Sequence, residues 1–342
     1  MKSAVIITVY KRYKYVDEAL NSILSQTVKP DQIIIVADNP KILNNSINAT
    51  VIEADYPQLG KKIFDAIKAL RDDIDVVYFL EDDDMFHKNK IEYTNKIFEK
   101  RKDIVTIHNS RKLIDENGQE LNYELDRIPF ETEIRKDDDD FAKLVRENYF
   151  SLSNNSSLSI RKDTLEKIQN YIAPIDISLG FAIVYFSLVF RKLLHIPEKL
   201  TYYRVRFSLS SFGNTNSFEE YIKRKREIVC ALNRAEKDFL TIHSMLPDCE
   251  ICKKLIERDL LYLYLYLRAE NEVFNCSYKA RIPSLNSLIF SSIKYYLKGT
   301  LSVKDLYNVS KGVLAQVILG KKKVSEMRSK RDFESLQDIK TQ

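Results

Sequence analysis

The sequence predicts an α/β fold, a mixed and mostly parallel sheet flanked by helices, followed by a helical carboxyl-terminal region. Three observations predict it. Short apolar runs alternate with amphipathic stretches over residues 4–108, the signature of a layered sheet with helices on its faces. The run Val76-Val77-Tyr78-Phe79-Leu80 passes directly into Glu81-Asp82-Asp83-Asp84, so a strand covered on both faces ends in four acids. Ligands in open α/β sheets sit beyond such strand ends. Past residue 214 every strong periodicity is helical.

The elements follow in order. Residues 4–9 read as a strand, and 15–24 as a helix with Val16, Ala19, Leu20, Ile23 and Leu24 on one face. Strands at 32–36 and 49–53, a helix at 61–70, a strand at 75–80, a helix at 88–100 and a strand at 104–108 continue the alternation. Asn117-Gly118 between 112–114 and 120–121 signals a hairpin. The pattern then becomes mixed: a strand at 156–160, a buried helix at 177–190 and a strand at 199–205. The run at 255–267 is apolar almost all round and reads as a helix inside a packing layer, although its Leu-Tyr alternation imitates a strand. A boundary near 214–217 divides the chain into domains 1–214 and 215–342.

Composition bounds the function. With 342 residues, 44% hydrophobic and 30% charged, the chain can bury a full core. Seven glycines leave little room for Gly-rich phosphate loops. No apolar run approaches the length of roughly 18 residues needed to span a bilayer, and no signal peptide is read at the amino terminus, so a cytoplasmic location is expected. The net charge of +5 is uneven. Residues 294–331 hold ten Lys or Arg against Asp305 and Glu326, interleaved with apolar side chains. That region reads either as the solvated basic face of a helix or as a peripheral contact with an anionic membrane at its inner face. No nucleic-acid-binding pattern accompanies it. Cys249-x-x-Cys252 has the spacing of a zinc knuckle, but Cys230 and Cys276 do not form a second pair. Reduced thiols are the default expectation, with a disulfide as the alternative. His87, His108, His195 and His243 show no metal-ligand spacing.

Five segments in order carry a resemblance that spans residues 3–212. They are Val5-Ile6-Ile7-Thr8-Val9-Tyr10-Lys11-Arg12, the stretch from Glu18 to Gln26-Thr27, Ile33 to Asp38, Glu81 to Asp84, and His195-Ile196-Pro197-Glu198-Lys199-Leu200-Thr201-Tyr202-Tyr203-Arg204. Together they resemble the inverting family 2 glycosyltransferases of the GT-A fold. The resemblance implies a nucleotide-sugar donor, with a UDP-sugar expected, a divalent Mn²⁺ or Mg²⁺ ion, and transfer to a glycan or lipid-linked acceptor.

It also implies roles. Tyr10 would stack on the base and Asp38 accept from its imide N–H, with Arg12 in the same turn. Glu81 and Asp83 would hold the metal, with Asp82 facing the ribose. The family's acid pair appears here as Ile175-Asp176, leaving Asp176 as the general base. Its Ala-Arg-Asn motif is replaced by Gly60-Lys61-Lys62, so Lys61 or Lys62 would face the phosphates. Arg204 and Arg206 would clamp the diphosphate as the loop at 207–213 closes. Asn154, Asn155 and Ser156 lie where the family binds its acceptor, or else are turn residues. The run Asp137 to Asp140 reads as capping of a helix that begins near Phe141.

Two other functions fit parts of the pattern. A sugar nucleotidyltransferase shares the sheet but needs a Gly-rich loop after the first strand, and no glycine precedes Gly60. A non-catalytic sugar or lipid-carrier binding protein is suggested by Ala37 and Ile175, where the family carries acids.

Overall fold

The computed structural model describes residues 1–43, 48–122, 126, 128–136, 152, 154–190, 192–205 and 217–340, the last five by their backbone only. The run 137–140, the helix near 141, Arg206 and the loop at 207–213 lie outside the described residues. The chain divides into two compact units: Met1–Arg204 with Ser244–Cys252, and Val205–His243 with Lys253–Gln342.

The first unit is built on one sheet. Its strands are β1 (Ser3–Val9), β2 (Gln32–Ala37), β3 (Thr50–Glu53), β4 (Val76–Glu81), β5 (Met85–Phe86), β6 (Ile104–Ile114), β7 (Thr132–Ile134), β8 (Leu158–Arg161) and β9 (Lys192–Arg204). They run in the order β3-β2-β1-β4-β8-β6-β9-β5, with β7 paired to β9. β3, β2, β1 and β4 are parallel, while β8 enters antiparallel between β4 and β6. The sheet is therefore mixed. β1, β2 and β4 are nearly continuous Val, Ile and aromatic runs and are buried along their length, as strands covered on both faces must be.

Among the described residues, five α-helices belong to this unit: α1 (Val16–Leu24), α2 (Leu59–Lys68), α3 (Lys90–Lys100), α4 (Lys162–Ile172) and α5 (Leu179–Phe190). Two local devices fix them around the end of β4. Gln26 and Thr27, just past α1, reach the turn between β5 and α3: the Gln26 amide donates to His87 O at 2.9 Å and accepts from Ile91 N–H, and Thr27 N–H donates to Lys88 O. Tyr78, fully buried on β4, makes hydrogen bonds with Thr94 and Asn95 on α3 through its hydroxyl. The turn between β4 and β5 is thus pinned at both ends.

The elements depart from expectation in three places. β6 and β9 run as one long parallel pair, whereas the sequence indicated short strands. Pro197 reads as a strand breaker, but the register passes from Asn109/Ile196 to Ser110/Lys199, so Pro197 and Glu198 sit in a bulge and the strand resumes. α4 was not expected, yet Leu165, Ile168 and Ile172 give it a buried face. The strand expected at 156–160 opens with a 3₁₀ turn, Asn155–Ser157, before β8.

The second unit is helical. α6 (Phe218–Met245) and α7 (Glu250–Glu270) begin the helical part of the chain, and α8 (Leu285–Leu297), α9 (Val303–Leu319) and α10 (Lys321–Lys340) follow. Leu261, Leu265, Leu288, Leu301, Val309 and Val313 form one core cluster, and Val229, Leu267, Phe274 and Ala280 another. Lys225 and Glu270 form a fully buried ion pair at 3.2 Å. The cysteines are neither free thiols nor zinc ligands. Cys230 bonds Cys276, and Cys249 bonds Cys252.

Candidate active site

The carboxyl ends of β1, β2 and β4 lie side by side, because these strands pair in register from Ser3 to Val9. The residues that leave those ends form one connected network. Tyr10 N–H donates to Asp82 Oδ2 at 3.2 Å. Lys11 turns the chain through the left-handed region, φ 55°, and its N–H donates to Asp38 Oδ2 at 3.2 Å, which also accepts from the Tyr13 hydroxyl at 2.7 Å. Asp38 Oδ1 is buried and meets no donor among the described residues. Arg12, half exposed, bridges two acids, with Nη2 2.6 Å from Asp82 Oδ1 and Nη1 2.8 Å from Asp83 Oδ2.

Lys62 arrives from the first turn of α2. It is almost fully buried, and its Nζ lies 3.9 Å from the centroid of the Tyr10 ring. Burial lowers its pKa to about 8, although Asp38 and Asp82 oppose the shift.

Glu81, Asp83 and Asp84 bring carboxylate oxygens within 4.8 Å of one another. Burial, reinforced by the Asp83 charge, pushes Glu81 up to about 7 and Asp84 up to about 8. Asp82, buried beside them, rises to about 7 despite Arg12. Among the described residues Arg12 is the cation ion-paired to the carboxylates of this turn, and it reaches Asp82 and Asp83. A concentration of hard oxygen donors with raised pKa values is the donor set for Mg²⁺ or Mn²⁺. Asn155 adds to the fit: its Nδ2 donates to Glu81 Oε1 at 3.1 Å, while its Oδ1 is buried with no donor among the described residues.

Three residues behind the cluster hold it in place. Ser156 Oγ accepts from Glu81 N–H at 3.1 Å, and Asn154 Nδ2 donates to Asp84 Oδ2 at 3.4 Å. Lys90 is fully buried and donates to Asn109 Oδ1 at 2.8 Å, Thr201 Oγ1 at 3.0 Å and Ser156 O. Asn154, Asn155 and Ser156 therefore face the acids.

Arg204 differs most from its expected role. Its side chain is fully buried, and its donors are engaged inside the protein. Nε donates to Asp83 O, Nη1 to Asp115 O and Glu116 O, and Nη2 pairs with Glu18 at 2.6 Å. Its backbone N–H donates to Asp84 Oδ1 at 3.0 Å, and its guanidinium lies 4.0 Å from the centre of the Tyr15 ring. Arg204 fastens the acidic turn from within instead of reaching outward as a clamp.

Asp176 lies two residues before Ser178, outside α5, and is half-buried. Its carboxylate is not one of those that converge within 4.8 Å as Glu81, Asp83 and Asp84 do. Its backbone does connect: Leu59 N–H donates to Asp176 O and Gly60 N–H to Ile175 O, at 3.0 and 2.9 Å. The segment 175–176 is thereby seated on the same first turn of α2 that carries Lys62. Only glycine fits there, because a Cβ on residue 60 would stand 1.9 Å from Ile172 O. Asp84 is the residue that sequence reasoning left unassigned. Its signal was its place within four consecutive acids, where adjacency alone did not say which oxygens converge.

The chain has relatives across bacteria. An uncharacterised glycosyltransferase of Nostoc sp. is 22% identical over 330 residues, covering 92% of this chain and 88% of that protein. One from Rickettsia conorii is 33% identical over 132 residues, covering 35% of this chain and 21% of its own length. Among solved structures, S. aureus TarS 1-349 in complex with UDP aligns with a TM-score of 0.53 at 15% identity, over 96% of this chain and 91% of that one. The mannosyltransferase PcManGT from Pyrobaculum calidifontis, in complex with GDP-Man and Mn²⁺, aligns with a TM-score of 0.50 at 10% identity, over 96% and 84%. At such identities the likeness establishes the fold, which is that of the GT-A enzymes. The sequence model of glycosyl transferase family 2 matches residues 4–195, more than half the chain and every site segment from Tyr10 to Asp176. The chain is a glycosyltransferase and belongs to family 2.

Proposed function

We propose that this enzyme transfers a sugar, with inversion, from a nucleotide-diphosphate donor to the hydroxyl of a glycan or lipid-linked acceptor, with a UDP-sugar as the preferred donor. One observation carries the reading: Glu81, Asp83 and Asp84 converge within 4.8 Å, and their neighbour Asp82 accepts from the backbone N–H of Tyr10. Base, ribose and diphosphate of a single donor can be met along that edge.

The roles follow from the geometry. Tyr10 offers a ring for stacking, worth about 1–3 kcal/mol per base, in place of its present contact with Lys62. Asp38 has a buried oxygen in need of a donor, which an imide N–H satisfies. Uracil carries such an N–H, and the S. aureus TarS structures hold UDP and UDP-GlcNAc. Glu81, Asp83 and Asp84 hold the metal, and Asp82 and Arg12 form the ribose side of the site. PcManGT holds Mn²⁺ with its GDP-Man. The bound ion supplies Lewis-acid stabilisation of the leaving diphosphate. Lys62, released from Tyr10, meets the phosphate charge. Asp176 takes the proton from the acceptor hydroxyl as its oxygen attacks the anomeric carbon. Arg204 keeps Asp83 and Asp84 oriented from within.

Donor turnover with UDP- and GDP-sugars, with and without Mn²⁺, tests the reading. Asp83→Asn should abolish metal-stimulated turnover, and Asp176→Asn should lower kcat by about 10²–10⁴-fold while donor affinity stays within about twofold. If Asp176→Asn transfers as well as the parent, the assigned base is wrong. If no nucleotide-sugar binds or reacts under any metal condition, the donor assignment fails as well.

A further inference from the structure

Two helices of the second unit carry apolar stripes that are exposed among the described residues. α8 turns Leu288 inward to the core and exposes Phe290, Ile293 and Leu297, spaced by three and four residues, with Leu297 78% and Phe290 71% exposed. α9 buries Val309 and Val313 and exposes Val303, Tyr307, Leu314 and Ile318, at four-, seven- and four-residue steps, with Val303 70% and Ile318 68% exposed. Each helix is thus two-faced: one apolar stripe builds the core, and a second, separate stripe lies in solvent. Isolated surface apolar residues need no explanation, but a second apolar stripe on each of two consecutive helices marks an interaction surface.

The charges beside the stripes identify the partner. Lys294 stands four residues after Phe290, Lys298 four after Lys294, Lys304 next to Val303, and Lys311 four after Tyr307, and all four are exposed. They lie at the edges of the apolar rows. Between residues 285 and 323 the one acid is Asp305, which is buried as the capping residue of α9. Within this stretch, then, no exposed acid stands beside the lysines.

A second copy of the chain would fit it badly. A two-fold contact sets a patch against itself, so lysine would meet lysine, and protein interfaces are depleted of that residue. A bilayer with anionic head groups meets both features. The apolar stripe enters the acyl boundary while the lysine stems lie along it and their ammonium groups reach the phosphates. No described helix is long and apolar enough to cross a membrane, so the contact is one of lying on the surface. We propose that the α8–α9 face seats the second unit on an anionic phospholipid bilayer. The inference does not depend on the donor or on Asp176, and it supplies a reason for a lipid-linked acceptor.

Flotation of the full chain with phosphatidylcholine vesicles, with and without phosphatidylglycerol, tests it. The parent should bind the anionic vesicles roughly tenfold better than the neutral ones. Phe290→Ser with Leu297→Ser should lose that binding, as should Lys298→Glu with Lys311→Glu, while thermal unfolding and donor binding are retained because all four positions are exposed. Binding unchanged in either double variant, or a parent that ignores anionic vesicles, overturns the proposal. So does a parent that light scattering shows to be a dimer and that the Phe290/Leu297 variant converts to a monomer without any vesicle binding to lose.

Discussion

At the scale of single residues the acid cluster is where a response to pH, and to the divalent ion of the proposed function, is expected. Glu81, Asp82 and Asp84 titrate at about 7, 7 and 8 in the folded chain, well above ordinary carboxylates, because burial penalises their charge and Asp83 adds repulsion. A carboxyl raised in this way binds a proton in the folded state that it has already lost in the unfolded state. Its stabilising contribution is complete below the unfolded pKa and disappears as pH rises through the folded value. Without divalent ions, the melting temperature should therefore fall between about pH 4 and pH 8. Metal binding needs the deprotonated carboxylates, so Mn²⁺ affinity should climb across the same window and the added ion should flatten the fall. Melting curves against pH, with Mn²⁺ and with chelator, check both signs. Asp84→Asn should weaken the pH dependence and the metal effect together, whereas a chain stabilised by rising pH in chelator would refute the charge assignment. Asp84 itself was legible only as one of four acids. Chain adjacency does not say which carboxylates turn inward together, and here Arg12 draws Asp82 and Asp83 from one side while Asn154 and the Arg204 amide hold Asp84 from the other.

At the scale of elements, what the sequence made readable was whatever depends on local pattern. β1, β2 and β4 are uninterrupted apolar runs, and their ends carry Tyr10, Asp38 and Glu81, so the edge of the site could be located before any pairing was known. Long-range partners were not readable. Arg204 follows a strand near a loop and looks like a free guanidinium, yet its partners Glu18, Asp83, Asp115 and Glu116 come from three distant segments. Nothing local marks Lys90 in the sequence, because its acceptors Asn109, Ser156 and Thr201 arrive from β6, the 3₁₀ turn and β9. The seat of segment 175–176 on α2 was equally hidden, because it rests on backbone bonds from Leu59 and Gly60. Gly60→Ala tests that seat directly. The new Cβ would meet Ile172 O at 1.9 Å and Ile175 O at 2.8 Å, both backbone atoms that cannot swing aside. Moving either helix disturbs the close-packed face of α2, so a loss of roughly 2–4 kcal/mol is expected. Transfer should fall further than donor binding, because Lys62 moves with α2 while Asp176 moves with the opposing segment. Equal loss of both would mean that the junction supports folding alone.

At the scale of the whole molecule, the chain has two units, each with apolar clusters of its own, and different forces fix them. The first unit is a sheet covered by helices, with Val5, Ile35, Tyr78, Phe98 and Leu194 in one continuous cluster, and it carries the proposed donor site. The second is helical, and its α6 is tied to the segment after α7 by Cys230–Cys276, which closes a span of 46 residues. A bridge over that span restricts the unfolded chain and is worth about 4 kcal/mol in the loop-entropy account. Cys249–Cys252 spans only three residues, so it removes far less freedom. These differences predict separable responses in calorimetry. Donor with Mn²⁺ should raise the transition of the first unit by mass action, by an amount that grows with the logarithm of ligand concentration. Cys230→Ser with Cys276→Ser should lower the transition of the second unit and leave the donor-dependent shift unchanged. A single transition that moves with both treatments would show instead that the two units unfold as one, and the disulfide would then contribute to the stability of the donor site itself.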